Sequence, residues 1–196
     1  MEDDLMLQLT LNDPWFWAFL AMVGWAMGYA VVGAKSLGRR LGLGIMMLLL
    51  AETPRVIIAL PFVTQPRILL NPAILIVVGT IILAASLFWG TAVVRIKPLT
   101  GPDSSEPLRT DGLYSLVRHP LMLCDIFWPL GWSILFGSVI GVLLTLAWLP
   151  VIWILTSIEE EALVREYGDA YHMYQSGVPR LFPRISKARQ KSARDQ

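Results

Sequence analysis

Charge is scarce in this chain. Asp, Glu, Lys and Arg together make up 16% of its 196 residues, and 55% are apolar. Soluble domains carry roughly 25% charged residues, so the composition excludes an ordinary solvated globule and fits a chain built for lipid. The net charge of +1 points to no acidic partner, and no nucleic-acid partner is expected. Cysteine occurs once, as Cys124 inside an apolar run, which excludes an intramolecular disulfide and leaves the redox compartment open. The start, MEDDLMLQL, is acidic and lacks the basic opening of a secretory signal, so it is expected to stay attached. Neither G-x-x-x-x-G-K-[ST] nor G-x-G-x-x-G occurs, which excludes the phosphate cradles of soluble nucleotide-binding folds. No metal site is expected.

Long apolar runs are what the chain does have. A membrane-spanning helix needs about 20 mostly apolar residues, and the runs 15–34, 41–63 and 72–94 each supply one. The run 121–158 is too long for one crossing and holds one charge, Asp125. Its LFGSVIG stretch at 135–141 offers Gly and Ser for a tight turn, so it reads as a helical hairpin. The expectation is an all-α integral membrane protein with five transmembrane helices, spans 4 and 5 forming the hairpin, followed by a cytoplasmic C-terminal helix. The second span carries Glu52, Pro54, Arg55 and Pro61, which predicts a kink and a Glu52–Arg55 contact one turn apart. GWAMG at 24–28 fits close helix packing through small residues; an oligomer is not indicated.

Basic residues set the orientation. Lys35, Arg39 and Arg40 lie in the first loop, Arg95, Lys97, Arg109 and Arg118 in the third, and seven more follow residue 158. Five spans then place the N-terminus outside and the C-terminus in the cytoplasm, in the cell membrane or the endoplasmic reticulum. Three regions follow: 1–96 as a three-helix membrane part, 97–184 as the chemical core, and 185–196 as a basic tail whose charges suit lipid headgroups.

Two polar segments flank the hairpin. KPLTGPDSSEPLRTDGLYSLVRHP covers 97–120, and EEEALVREYGDAYHMYQSGVPRLFPR covers 159–184. Hairpin geometry alone makes them meet. At helical spacing Glu159, Leu163, Tyr167, Tyr171 and Tyr174 are expected on one face. Arg118 and His119 offer donors, Glu159 and Glu160 acceptors, and the tyrosines flat faces. A ligand with a cationic centre, a carboxylate and an aromatic base suits that mixture, and S-adenosylmethionine has all three.

GLYSLVRHPLM, an apolar hairpin, EE-x-x-L-x-x-x-Y-G-x-x-Y and VPR-x-x-P, in that order, resemble the isoprenylcysteine carboxyl methyltransferase family over about residues 97–184. The resemblance implies methyl transfer from S-adenosylmethionine to the C-terminal carboxylate of a prenylated cysteine or a related lipophilic acceptor, small molecule or protein. It places Glu106, Pro107, Leu108, Arg109 and Tyr114 along the cofactor, with His119, Pro120, Leu121 and Met122 around its amino-acid and nucleoside parts. Glu159 closes the pocket. Related members methylate phospholipids or thiols. Eukaryotic members carry an Arg one turn before the residue matching Glu159, where this chain has Leu155, and Gly177 stands where several relatives carry a basic residue. A carboxylate acceptor then needs another anchor, for which Arg180 is the candidate; Glu159 and Arg180 are the expected catalytic pair.

Plainer explanations exist for each residue alone. Arg118 fits a snorkelling anchor, His119 with Pro120 a helix start, Glu159 and Glu160 solvated helix charges, and the tyrosines an interfacial belt. Asp125 is either a paired polar residue or the wall of a wet cavity. Two other readings remain open: an NADPH-dependent enzyme like the membrane sterol reductases, and a non-enzymatic membrane scaffold.

Overall fold

The computed structural model describes residues 2–33, 37–96 and 107–183. Among these it is all-helical, with no strand: α1 (Glu2–Asn12), α2 (Pro14–Gly33), α3 (Leu37–Ala59), α4 (Pro72–Ile96), α5 (Pro120–Leu135), α6 (Val139–Tyr167) and α7 (Asp169–Gly177), plus a short 3-10 turn at Gly112–Ser115. The helix α1 was not foreseen from the sequence.

Among the described residues two helices are long and apolar enough to cross a membrane, Pro72–Arg95 and Val139–Tyr167, whereas the stretches Pro14–Met27 and Pro120–Leu135 are apolar but shorter. Of the five expected spans, these two are shown by length and composition among the described residues. α5 has 16 residues, about 24 Å at 1.5 Å per residue, against a hydrocarbon core of about 30 Å. Much of the α4 surface is bare hydrocarbon: Ile74, Ile76, Val77, Ile81, Leu87 and Phe88 are all exposed.

Helix boundaries follow local chemistry. Asp13 Oδ1 accepts the Trp15 N–H at 2.9 Å, and Asn71 Oδ1 accepts the Ala73 N–H at 2.9 Å. Each caps a helix whose first residue is Pro, the position where a missing N–H costs nothing. α5 ends as the LFGSVIG stretch predicts. Gly137 takes φ of 63°, its N–H reaches the Ile134 carbonyl at 2.9 Å, and the Ser138 N–H reaches Ser133 at 2.8 Å. That pair of bonds closes the helix C-terminus. The Ser138 hydroxyl then caps α6 by accepting the Gly141 N–H at 2.9 Å.

The chain divides into two compact units, one of Met1–Ala85 with Ile126–Leu149, the other of Ser86–Asp125 with Pro150–Gln196. In the first unit α2 packs on α3, and a Cβ on Gly24 would collide with the backbone of Leu50 and Ala51. The 24–28 motif is thus used for packing within the chain, at its Gly24 end. The predicted Glu52–Arg55 contact is present, with Arg55 Nη1 at 2.9 and 3.0 Å from the two carboxylate oxygens. Arg55 is 2% exposed and lies within 5.5–6.0 Å of the ring centres of Trp25, Trp128 and Trp148. Its charge is held by a carboxylate and by ring faces in an otherwise apolar setting. α3 stops at Ala59, before Pro61, and Arg67 closes its end. The guanidinium donates to the carbonyls of Ala59 (2.9 Å), Leu60 (2.7 Å), Val63 (3.0 Å) and Phe136 (3.2 Å). A cation among C-terminal carbonyls also complements the helix dipole.

Candidate active site

The second unit brings the two polar segments together, as hairpin geometry requires. The Arg118 N–H donates to the Pro179 carbonyl at 2.9 Å and the His119 N–H to the Arg180 carbonyl at 3.1 Å. RHP and VPR are thus joined backbone to backbone. The Tyr174 hydroxyl adds a third tie, donating to the Tyr114 carbonyl at 2.6 Å.

Chemistry converges on Glu160, whose side chain is 4% exposed. Arg118 Nε lies 2.9 Å from its Oε1, and His119 Nε2 lies 3.1 Å from the same oxygen. Arg180 Nη2 reaches Oε2 at 2.6 Å, and the Gln175 amide donates to Oε2 at 3.2 Å. The Arg118 contact is ionic, since its Nε–H forms no hydrogen bond; that guanidinium donates through Nη1 to the Gln175 carbonyl at 2.9 Å. Arg180 is also committed. It donates to the Ser157 hydroxyl at 2.9 Å and stacks 4.4 Å above the Trp153 ring centre.

His119 lies between the two glutamates. Its Nδ1 is 3.2 Å from Glu159 Oε2 while Nε2 faces Glu160. Both ring nitrogens facing carboxylates calls for an imidazolium, which carries two donors. Burial alone would lower its pKa; the hydrogen bonds to Glu159 and Glu160 outweigh that and raise it. Burial pushes up the tyrosines around the cluster: Tyr174 to about 12, helped by Tyr114 and Glu160 and opposed by Arg118, with Tyr171 higher still. Tyr114 is raised as well, by burial and then by Glu159, against a lowering from Arg109. All three are neutral phenols at ordinary pH. The Tyr171 hydroxyl is buried and forms no hydrogen bond to any described residue.

The expected site residues separate by environment. Glu159 is 51% exposed, and its oxygen is held by His119. Leu108, Tyr114, Leu121 and Met122 are half-buried, His119 and Pro120 are buried, and Pro107 and Arg109 are exposed. Arg109 Nε sits 3.4 Å from Asp111. Glu106, Lys35 and the tail 185–196 lie outside the described residues.

One expectation is corrected. Glu159, Leu163, Tyr167, Tyr171 and Tyr174 do not share a continuous helix face, because α6 ends at Tyr167. Gly168 adopts φ of 54°, a left-handed conformation suited to glycine, and α7 starts afresh at Asp169. The break turns Tyr171 and Tyr174 inward, 1% and 9% exposed, with ring centres 5.8 Å apart. They are buried, where an interfacial belt would leave them wet. The His119 side chain likewise goes to the glutamates and leaves the start of α5 to its backbone carbonyl, which accepts the Met122 N–H at 3.2 Å. Gln175 and Trp153 were absent from the expected site, and Glu160 was expected there only as one of two acceptors, without a separate role. The EE pair was the visible signal for Glu160, but composition alone does not say which of two neighbours turns inward.

A family model described as phospholipid methyltransferase matches residues 67–170, more than half of the chain. Over 82 residues the chain is 38% identical to the Protein-S-isoprenylcysteine O-methyltransferase of Schizosaccharomyces pombe, covering 40% of this chain and 34% of that protein. It is 37% identical over 82 residues to Methanethiol S-methyltransferase 2 of Bradyrhizobium diazoefficiens, covering 42% of this chain and 31% of that protein. The match spans about a third of the length of each relative. No solved structure matches the chain.

Proposed function

The chain belongs to the phospholipid methyltransferase family, and on that premise we propose that it is an integral membrane methyltransferase using S-adenosylmethionine. Its acceptor is the carboxylate of a prenylated cysteine or a related lipophilic acid. In this reading the five apolar segments cross the bilayer, the N-terminus is outside, and the site lies at the cytoplasmic surface. There a soluble donor and a membrane-borne acceptor can both reach it. Residues 97–184 form its core, and the basic tail rests on lipid.

The observation that carries the proposal is the half-exposed Glu159, held by His119 beside the buried cluster of Arg118, Glu160 and Arg180 at the RHP–EE–VPR junction. The donor set fits the cofactor. Glu159 presents an accessible carboxylate for a cationic or diol group, and Leu108, Leu121 and Met122 supply half-buried apolar walls. The buried Tyr171 hydroxyl bonds to no described residue. Glu159, Leu108, Leu121 and Met122 would hold S-adenosylmethionine there, and its sulfonium would supply an already activated methyl group, the S–CH3 electron pair remaining on sulfur.

The protein's own task is placement. A carboxylate acceptor arrives ionised and needs no base, so holding the reactants in line supplies several kcal/mol, up to about 7–11 in ideal cases. His119 is a positioning residue: its imidazolium orients Glu159. Two arginines and the imidazolium against two glutamates leave the cluster positive by one charge, which favours an anionic acceptor nearby.

The test is calorimetric titration of the detergent-purified chain with S-adenosylhomocysteine, with NADPH as control, on wild type and Glu159→Gln. Binding of S-adenosylhomocysteine alone, weakened about tenfold or more in the variant, is expected; tenfold corresponds to about 1.4 kcal/mol. A folded sample that binds NADPH, or neither compound, overturns the proposal.

A further inference from the structure

The end of α3 and the loop after it turn their polar side chains inward and apolar ones outward. Between Arg55 and Arg95 the sequence holds one charged residue, Arg67. A helix leaves its last four carbonyls without partners inside the helix, and water ordinarily serves them at a surface. In α3 they belong to Val56, Ile57, Ile58 and Ala59, and the protein itself meets each one. The Trp132 indole donates to Val56 at 3.0 Å and the Leu60 N–H to Ile57 at 2.9 Å. The Gln65 amide donates to Ile58, and Arg67 to Ala59 at 2.9 Å.

The same two polar side chains close the turn between α5 and α6. Gln65 Oε1 accepts the Ser138 hydroxyl at 2.7 Å and the Ile140 N–H at 3.1 Å, while Arg67 reaches the Phe136 carbonyl at 3.2 Å. The Ile68 N–H donates to the Gly137 carbonyl at 2.8 Å. Protein groups thus stand where water would otherwise solvate two adjoining chain reversals.

The outer surface of the loop is hydrocarbon. Leu69 is 96% exposed, and Phe62 and Leu70 are each more than half exposed. A loop in water shows the reverse arrangement, because its backbone needs solvent and its apolar side chains avoid it. The apolar surface leads straight into the exposed Ile74, Ile76 and Val77 of α4, a helix long and apolar enough to cross a membrane. No exposed charge interrupts it, since Arg67 is half-buried among its carbonyls.

We infer that the loop 61–71 rests in the bilayer at the boundary of acyl chains and headgroups, with Phe62, Leu69 and Leu70 against lipid. Two observations select lipid as the partner. The patch is continuous with the apolar face of α4, and the helix end beneath it is satisfied by protein, as backbone out of reach of water must be. Thr64 and Asn71, the exposed polar residues of the loop, suit the headgroup side. The inference depends on α4 crossing the membrane and not on the reaction.

The experiment attaches a nitroxide to Leu69→Cys in the full chain carrying Cys124→Ala, reconstituted in phosphatidylcholine vesicles. Collisions are measured with oxygen, which concentrates among acyl chains, and with a water-soluble nickel chelate. Val77→Cys on α4 is the lipid-facing reference. Oxygen access is expected to exceed nickel access by about threefold or more at both positions, and Leu70→Cys should repeat the reading. Leu69 is almost wholly exposed, so its replacement leaves the packing as it is. Nickel in excess at 69 with oxygen in excess at 77 puts the loop in water and overturns the inference. Nickel in excess at both positions overturns it too, by removing α4 from the membrane. Low access to both reagents, with spin–spin broadening that vanishes on dilution with unlabelled chain, overturns lipid as the partner in favour of a second copy.

Discussion

Glu159 and Glu160 are neighbours with opposite roles, and replacing each by Gln separates them. Glu160 is 4% exposed and faces Arg118, His119 and Arg180 at 2.9, 3.1 and 2.6 Å. Glu160→Gln keeps the size but leaves three cations converging on a neutral amide. Breaking a buried ion pair from one side costs about 3–5 kcal/mol, because the remaining charge stays desolvated. For a chain of this length 1 kcal/mol moves Tm by about 2–4 °C. Glu160→Gln should therefore lower Tm by roughly 6–20 °C on those two scales. Glu159 is 51% exposed and reaches His119 at 3.2 Å. Solvent screening holds such a pair to about 0–1 kcal/mol, so Glu159→Gln should leave Tm nearly unchanged while weakening S-adenosylhomocysteine binding. The assay is thermal unfolding of the detergent-solubilised protein followed by tryptophan fluorescence, paired with calorimetry. Equal Tm shifts in the two variants, or a shift under about 2 °C for Glu160→Gln, would refute the division of roles.

Other consequences are as direct. His119 has a raised pKa in the folded protein, so its ionic contribution is complete below about 6.5, the ordinary histidine value. That contribution is lost as pH rises through the folded value; a plot of Tm against pH should fall on the alkaline side of 6.5 in wild type and flatten in His119→Gln. Arg67→Met removes bonds to four carbonyls and should cost roughly 3 kcal/mol. Arg67→Lys should recover only part of the Tm, since an ammonium lacks the planar fork. Gly24→Val forces a side chain against the backbone of Leu50 and Ala51 and should lose about 1–3 kcal/mol of stability by overpacking, read in the same melt.

Much of the fold was legible because it is local. Apolar runs marked the helices α2, α4, α5 and α6, and the Glu52–Arg55 spacing of three marked their contact. Gly137 and Ser138 carry the hairpin turn within a few residues of backbone. What was misjudged also has a local cause. A helix face drawn through residue 168 ignored a glycine free to adopt positive φ.

The sequence by itself determined which residues take part: RHP before an apolar hairpin, EE after it, and VPR beyond a short helix. Tertiary structure decided how they share the work. Successive residues on a helix point about 100° apart, so nothing in the letters EE says which glutamate is buried. That choice was made when Arg118 and His119 bonded to the backbone of Pro179 and Arg180, some 60 residues away, and enclosed Glu160 between them. Arg180 shows the same limit. Its type promised an anchor for an anion, but the fold placed a carboxylate of the chain itself 2.6 Å away, and a buried charge is held by the nearest opposite charge the packing supplies.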